Sequence, residues 1–151
     1  MNSPLCHLRQ AAIFNELLHC ALFEELPASA LHEIASLTSV RRLETGGVLF
    51  HEYTQSSGLF IVQHGAIKLH RVTASRREIL IHVFRPHESL GEESLFSEAG
   101  CPASACAIEP SQVLVIPKAA FMALWASYPE LSLSLLRGLG RQFNLVMARI
   151  D

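Results

Sequence analysis

The stretch Gly58–Val72, "GLFIVQHGAIKLHRV", holds two brief apolar runs, "GLFIV" and "AIKLHRV", parted by a Gly-containing cluster in which His64 reads as a turn residue. Runs this short and this rich in Val, Ile, Leu and Phe predict strands. Three more of the same kind lie nearby: "GGVLF" at 46–50, "EILIHVF" at 78–84 and "VLVIP" at 113–117, set off by Gly, Ser, Thr and Pro clusters. Short strands at a spacing of about 8 to 12 residues indicate an antiparallel sandwich or barrel between Val40 and Pro117.

The strand-rich centre is flanked by helical patterns. From Leu8 to about Leu37, the residues Ile13, Leu17, Leu18, Leu22, Phe23, Leu31 and Ile34 recur at helical spacing, interrupted by "EELPAS" at 24–29. Two short helices are predicted, with Pro27 in the first turn of the second, where its missing N–H does no harm. Past the strands, "KAAFMALWASY" at 118–128 places Phe121, Leu124 and Trp125 on one face and stops before Pro129. A last helix runs from Pro129 with Leu135, Leu139, Phe143, Val146 and Ile150 in a stripe at spacings of four, four, three and four. That stripe has the spacing of a helix–helix seam and predicts a parallel homodimer. The pattern is still running at Asp151, so we expect the helix to continue into a segment not included here.

Composition narrows the function. One domain's length of chain, half apolar and 17% charged, describes a compact body with a single core region. Lys and Arg total 12 against 14 for Asp and Glu, so no basic excess attracts a phosphate backbone, and DNA binding by this segment alone is not expected. No apolar run approaches the ~18 residues that cross a bilayer. Arg9, Asn15 and Glu16 interrupt any signal-peptide core, so a cytoplasmic protein is expected. Cys6, Cys20, Cys101 and Cys106 form no CxxC pair and are expected to be reduced, buried or incidental thiols.

Helices, strands and a seamed helix, in this order, resemble the sensor domain of the CRP/FNR family of bacterial transcription regulators. The likeness is carried by "LLHCALFEELPASALHEIASLTSVRRLETGGVLF" at 17–50, by "GLFIVQHGAIKLHRV", by "LGEESLF" at 90–96 and by "VLVIPKAAF" at 113–121, and it covers nearly the whole chain. It implies a mainly β fold with flanking helices: a double-stranded β-roll of jelly-roll type, with N-terminal helices and a C-terminal dimerisation helix. Residues 1–128 would form the N-terminal helices, the roll sensor and a short helix, and 129–151 the start of the dimerisation helix. The helix-turn-helix domain that reads DNA would lie outside this chain. The partners implied are a small-molecule effector and a second copy of the chain.

The resemblance also assigns a ligand cassette within "SLGEESLFSEAGCPASACAIEP", 89–110. Gly91 lets backbone N–H groups face an anion, Glu92 accepts from a sugar hydroxyl and Ser104 donates to a phosphate oxygen. Cyclic-AMP-binding members have an Arg ahead of that Ser; here Ala103 stands in its place, and no Lys or Arg occurs between Gly91 and Pro110. Without its guanidinium a buried phosphate loses charge-assisted bonds of roughly 1.5–3 kcal/mol each, so cyclic AMP sensing is not expected. Glu92 would then be free for backbone N–H groups or solvent. Positions usually Gly in the family hold Tyr53, Arg76 and His87, predicting loops of altered shape. The "PSQ" turn at 110–112 and the missing Arg are similar to the regulators of dissimilatory nitrate respiration, in which the sensor responds to nitric oxide through haem.

Haem requires an axial ligand, and the eight histidines (His7, His19, His32, His51, His64, His70, His82 and His87) do not single one out. His32 is expected on a helix face and His70 and His82 on strands. An iron–sulfur cluster is not expected, because only Cys6 and Cys20 lie near the N-terminus. Two alternatives stay open: a cyclic-nucleotide-binding module serving another output, and a β-roll metal enzyme. For the latter, His82, His87 and Glu88 straddle a Pro-containing turn and are not expected to share one strand face, so catalysis is not expected.

Overall fold

The computed structural model describes residues 4–54, 58–95 and 98–150, with the side chains of residues 93, 94, 135, 139, 142, 145, 146, 149 and 150 outside the described set. Helix α1 (Pro4–Leu18), a 3-10 turn (Ala21–Phe23) and α2 (Ala28–Leu37) lead into the strands. These are β1 (Ser39–Leu43), β2 (Val48–Phe50), β3 (Gly58–His64), β4 (Ile67–Val72), β5 (Glu78–Phe84), β6 (Ser89–Leu90), β7 (Ser104–Ala107) and β8 (Ser111–Pro117). A second 3-10 turn (Glu92–Leu95) lies between β6 and β7, and α3 (Lys118–Ser127) and α4 (Glu130–Ile150) follow.

The strands form two four-stranded antiparallel sheets, ordered β1-β8-β3-β6 and β2-β7-β4-β5, which is the expected β-roll with flanking helices. Strand β3 explains why its sequence is apolar without alternation. Its residues Leu59 and Ile61 point into a core shared with α1, α2 and α3, while Phe60 and Val62 point into a second core between the sheets. Strand β8 divides likewise, with Leu114 and Ile116 on the helical side and Val113 on the inter-sheet side. By contrast β4 covers the inter-sheet core on one face only, so Ile67 and Leu69 are buried and Lys68 and His70 are partly exposed.

Several details depart from expectation. Pro27 is the residue before α2, extended at φ −70° and ψ 158°, one place earlier than predicted. There its carbonyl accepts from the amides of Ala30 and Leu31. His64 is the last residue of β3, and the turn begins after it. Strand β1, "SVRRL", shows no buried residue and is held by pairing all five residues with β8. At Tyr53, Arg76 and His87 the backbone is left-handed, the conformation that a glycine would take, at φ 58°, 62° and 76°.

Candidate functional site

The Gly-Glu step follows β6 directly. Gly91 has φ 90°, and a Cβ there would stand 3.1 Å from the Phe60 ring and 3.3 Å from the Gly58 carbonyl oxygen. The turn is thus pressed onto β3 in a backbone conformation that side chains resist. Glu92, the next residue, is 1% exposed and accepts a hydrogen bond from the Ser89 hydroxyl. Of the two expectations for Glu92, backbone N–H groups or solvent, the second is corrected: the carboxylate is buried and partnered inside the protein.

The other half of the cassette lies elsewhere. Ala103 is 2% exposed and packs in the inter-sheet core with Phe50, Phe60 and Leu69. Ser104 opens β7, and its Oγ accepts from the Glu52 amide at 2.9 Å, fixing the end of β2 to β7. Of Gly91, Glu92, Ala103 and Ser104, only Glu92 stands on the wall of the cleft described next, among the described residues.

That cleft, of about 290 Å³, lies where the roll meets α4. The first 3-10 turn contributes Ala21 and Leu22, preceded by Cys20. The segment after β5 contributes His87, Glu88 and Ser89, and α4 contributes Gly138 and Arg141. Gly138 faces this wall: a Cβ there would be in ordinary contact, 3.5 Å from Leu22 and 3.9 Å from Glu92 Oε1. Hydrogen bonds tie the walls to the interior. His87 Nδ1 lies 2.7 Å from Oε1 of Glu16, which is 7% exposed on α1. The His87 ring also stacks on His19, with centroids 5.3 Å apart. Glu88 accepts from the Arg85 amide at 2.9 Å and lies 3.3 Å from His82 Nε2. His82 and Glu88 thus meet across their turn while His87 turns away to Glu16, and no three metal-ligating side chains converge among the described residues.

The electrostatics of the cleft are acidic. Among the described residues, Glu88 and Glu92 are opposed on its wall by a single cation, Arg141. Burial pushes the Cys20 thiol up to about 12; Glu92 and Glu16 add to this, and the Leu22 amide and Arg141 act against it. Cys20 is therefore a neutral, unreactive thiol at physiological pH. Such a cavity suits a small polar or cationic molecule better than an anion. Its walls come from residues far apart in sequence. In the sequence Cys20 was legible only as an isolated thiol, His87 as a turn residue and one of eight undistinguished histidine candidates, and Glu16 and Arg141 carried no binding signal.

Residues 40–128 match the family model of the cyclic nucleotide-binding domain. The chain belongs to that family. Its form is the one carried by CRP/FNR-type regulators. Among curated relatives, this cyclic nucleotide-binding domain is 30% identical over 96 residues to the anaerobic regulatory protein of Bacillus subtilis, covering 62% of the chain and 40% of the relative. It is 26% identical over 128 residues to the CRP-like cAMP-activated global transcriptional regulator of Mycobacterium tuberculosis, covering 85% of the chain and 57% of the relative. The chain thus spans about half the length of the curated relatives it matches. Among solved structures, the sensor domain of the transcriptional regulator DNR from Pseudomonas aeruginosa superposes with a TM-score of 0.79 at 22% identity, covering 92% of this chain and 93% of that one. The catabolite activator protein of Thermus thermophilus gives 0.76 at 25% identity, covering 87% and 62%. No helix of the described residues is long and apolar enough to cross a membrane.

Proposed function

We propose that this chain is the effector-sensing and dimerisation part of a cytoplasmic, non-catalytic CRP/FNR-type transcription regulator, and that its effector binds in the cleft between the roll and α4. The observation that carries this reading is the meeting of Glu92 and Gly138. The family's Gly-Glu turn ends against α4 at a glycine, so a molecule in the cleft touches sensor and helix together. Binding there biases how α4 sits, and with it any DNA-reading segment that α4 leads into.

Cyclic AMP is disfavoured as the effector: among the described residues the cleft sets two carboxylates against one arginine, and Ala103, which offers no guanidinium, packs away from it in the inter-sheet core. Loss of charge-assisted bonds of roughly 1.5–3 kcal/mol each lowers affinity at least about tenfold. Calorimetric titration with cyclic AMP is expected to give no saturable binding in the micromolar range; tight binding overturns the reading. A second reading, haem as the sensor of nitric oxide, draws on His87. Its Nδ1 is anchored by Glu16, as the outer nitrogen of a metal-bound imidazole is anchored, and Nε2 is the atom left to bind iron. Bound haem would supply an iron centre for nitric oxide. The cleft, at about 290 Å³, is at the small end of ligand pockets, so α4 must move outward to admit the macrocycle. Reconstitution giving a Soret shift that His87→Ala abolishes supports this second reading, and an unchanged spectrum removes it.

The partner of α4 is a second copy of the chain. Leu131, Ser134 and Gly138 are buried, so this face of α4 packs on its own roll. Leu133, Leu136, Phe143 and Met147 stand on the opposite side of the helix, 47–65% exposed and spaced three, seven and four apart. Within the predicted stripe, Phe143 is among these exposed residues, while the side chains of Leu135, Leu139, Val146 and Ile150 lie outside the described set. A charge at a buried seam costs several kcal/mol. Leu136→Glu and Phe143→Glu are therefore each expected to yield a folded monomer in sedimentation. A dimer of unchanged mass would place the interface elsewhere.

A further inference from the structure

The outward face of the β2-β7-β4-β5 sheet carries a cluster that effector sensing does not use. On β7, Ala105 and Ala107 enter the inter-sheet core, leaving Ser104 and Cys106 on the other face; on β4, Lys68 and His70 share that face. Lys68 lies directly opposite Cys106, which sets His70 on the diagonal. There His70 Nε2 stands 3.7 Å from Cys106 Sγ, within hydrogen-bonding reach of a thiol. The other ring nitrogen, Nδ1, is 3.6 Å from Glu78 Oε1, and the same oxygen holds Lys68 Nζ at 2.5 Å. His70 Nδ1 is buried without a hydrogen-bond partner, since 3.6 Å falls short of one. A shift of a few tenths of an ångström toward Glu78 satisfies it and fixes the tautomer in which Nε2 is the base.

A thiol, an imidazole and a carboxylate in sequence are the parts that activate a nucleophile. We propose that Cys106 is a reactive thiol that undergoes exchange with low-molecular-weight disulfides, with His70 as its base and Glu78 as the carboxylate that orients His70. The thiol proton passes to His70 Nε2, and the Cys106 sulfur attacks one sulfur of the disulfide. A new S–S bond forms as the old one breaks, and the departing thiolate takes the proton from the imidazolium. The products are a mixed disulfide on Cys106 and one free small thiol, so no further oxidant is consumed.

The other cysteines provide internal controls. Cys6 is exposed on α1, whereas Cys20 and Cys101 are each 2% exposed. If accessibility alone sets reactivity, Cys6 reacts first and the half-buried Cys106 lags behind it.

The test pulses the full chain at neutral pH with dithiodipyridine for increasing times, quenches with acid, and reads each cysteine by fragment-ion mass spectrometry. The measurement is repeated on the chain unfolded in guanidinium. Cys106 is expected to react faster than Cys6 in the folded protein, and about tenfold faster in the folded than in the unfolded chain. Slower reaction of Cys106 in the folded chain overturns the proposal. His70→Gln is expected to slow the Cys106 reaction about tenfold or more while leaving Cys6 unchanged, and an unaffected Cys106 rate also overturns it. Should that variant not fold, the folded-to-unfolded ratio of the unmodified chain still decides.

Discussion

The two sides of the Gly91–Glu92 step are built in opposite ways. Toward the sheets, Gly91 presses on Phe60 and Ala103 fills the inter-sheet core, a dry and closed contact. Toward α4, Glu92 faces a cleft edged by Glu88, His87 and Arg141. The Gly-Glu step thus has one side packed into the roll and another beside a polar cavity at the helix. Changes on the first side should be read in stability, and changes on the second in binding.

The strongest attempt to break this division is Ala103→Arg. It introduces the side chain that the family resemblance implies for a cyclic-AMP site but places a guanidinium where 2% of the residue is exposed. An unpaired charge buried there is expected to cost about 3–5 kcal/mol in urea unfolding. A variant of unchanged stability would mean that the closed side opens readily. Gly91→Ala is the next in size. Its Cβ meets Phe60 at 3.1 Å and its φ of 90° disfavours any side chain, so a loss of about 2 kcal/mol is expected, measured by the shift in urea midpoint.

An effect that is smallest near pH 9 and grows above it sharpens the comparison from the cleft side. The Cys20 thiol is raised by burial from 9.0 to about 12. As pH rises past 9.0 the unfolded chain gives up this proton while the folded chain keeps it, so stability falls through the window up to about 12. The decline attributable to Cys20 approaches about 1.4 kcal/mol per pH unit. Cys20→Ala is expected to flatten the alkaline limb of a urea-midpoint profile by that amount. An unaltered slope would mean that water reaches the thiol.

What could be read from the sequence follows the same division. Strands β3 and β8 were legible because burial on both faces leaves a continuous apolar run, and α3 because Phe121 and Leu124 recur on one buried face. Strand β1 was not, since "SVRRL" has no fully buried side chain, only Val40 and Leu43 partly packed on the cores, and is paired along its length with β8. The Gly-Glu step was legible through the family resemblance, but the cleft beside it was not. Cys20, Glu92 and Arg141 come together only through tertiary packing, and no local period records that. The left-handed backbone at Tyr53, Arg76 and His87 was not legible in the residues themselves, because the surrounding structure holds each one there in spite of its side chain.

The two-faced burial of β3 has a consequence for strand register. A slip by one residue ordinarily exposes apolar side chains to water and so is strongly opposed. In "LFIV", Gly58's successors Leu59 to Val62, the same slip would merely exchange residues between two apolar cores, and hydrophobicity alone would barely resist it. The ends of the strand supply the missing specification. A Cβ on Gly58 would lie 1.9 Å from the Ile116 carbonyl oxygen, and one on Gly65 would lie 2.2 Å from Ser111 Oγ and 2.6 Å from the Pro110 oxygen. Moving the chain by one place would thrust Leu59 or Ala66 into those gaps. The two glycines therefore act as stops that admit a single alignment of β3 with β8, the pairing on which both cores depend.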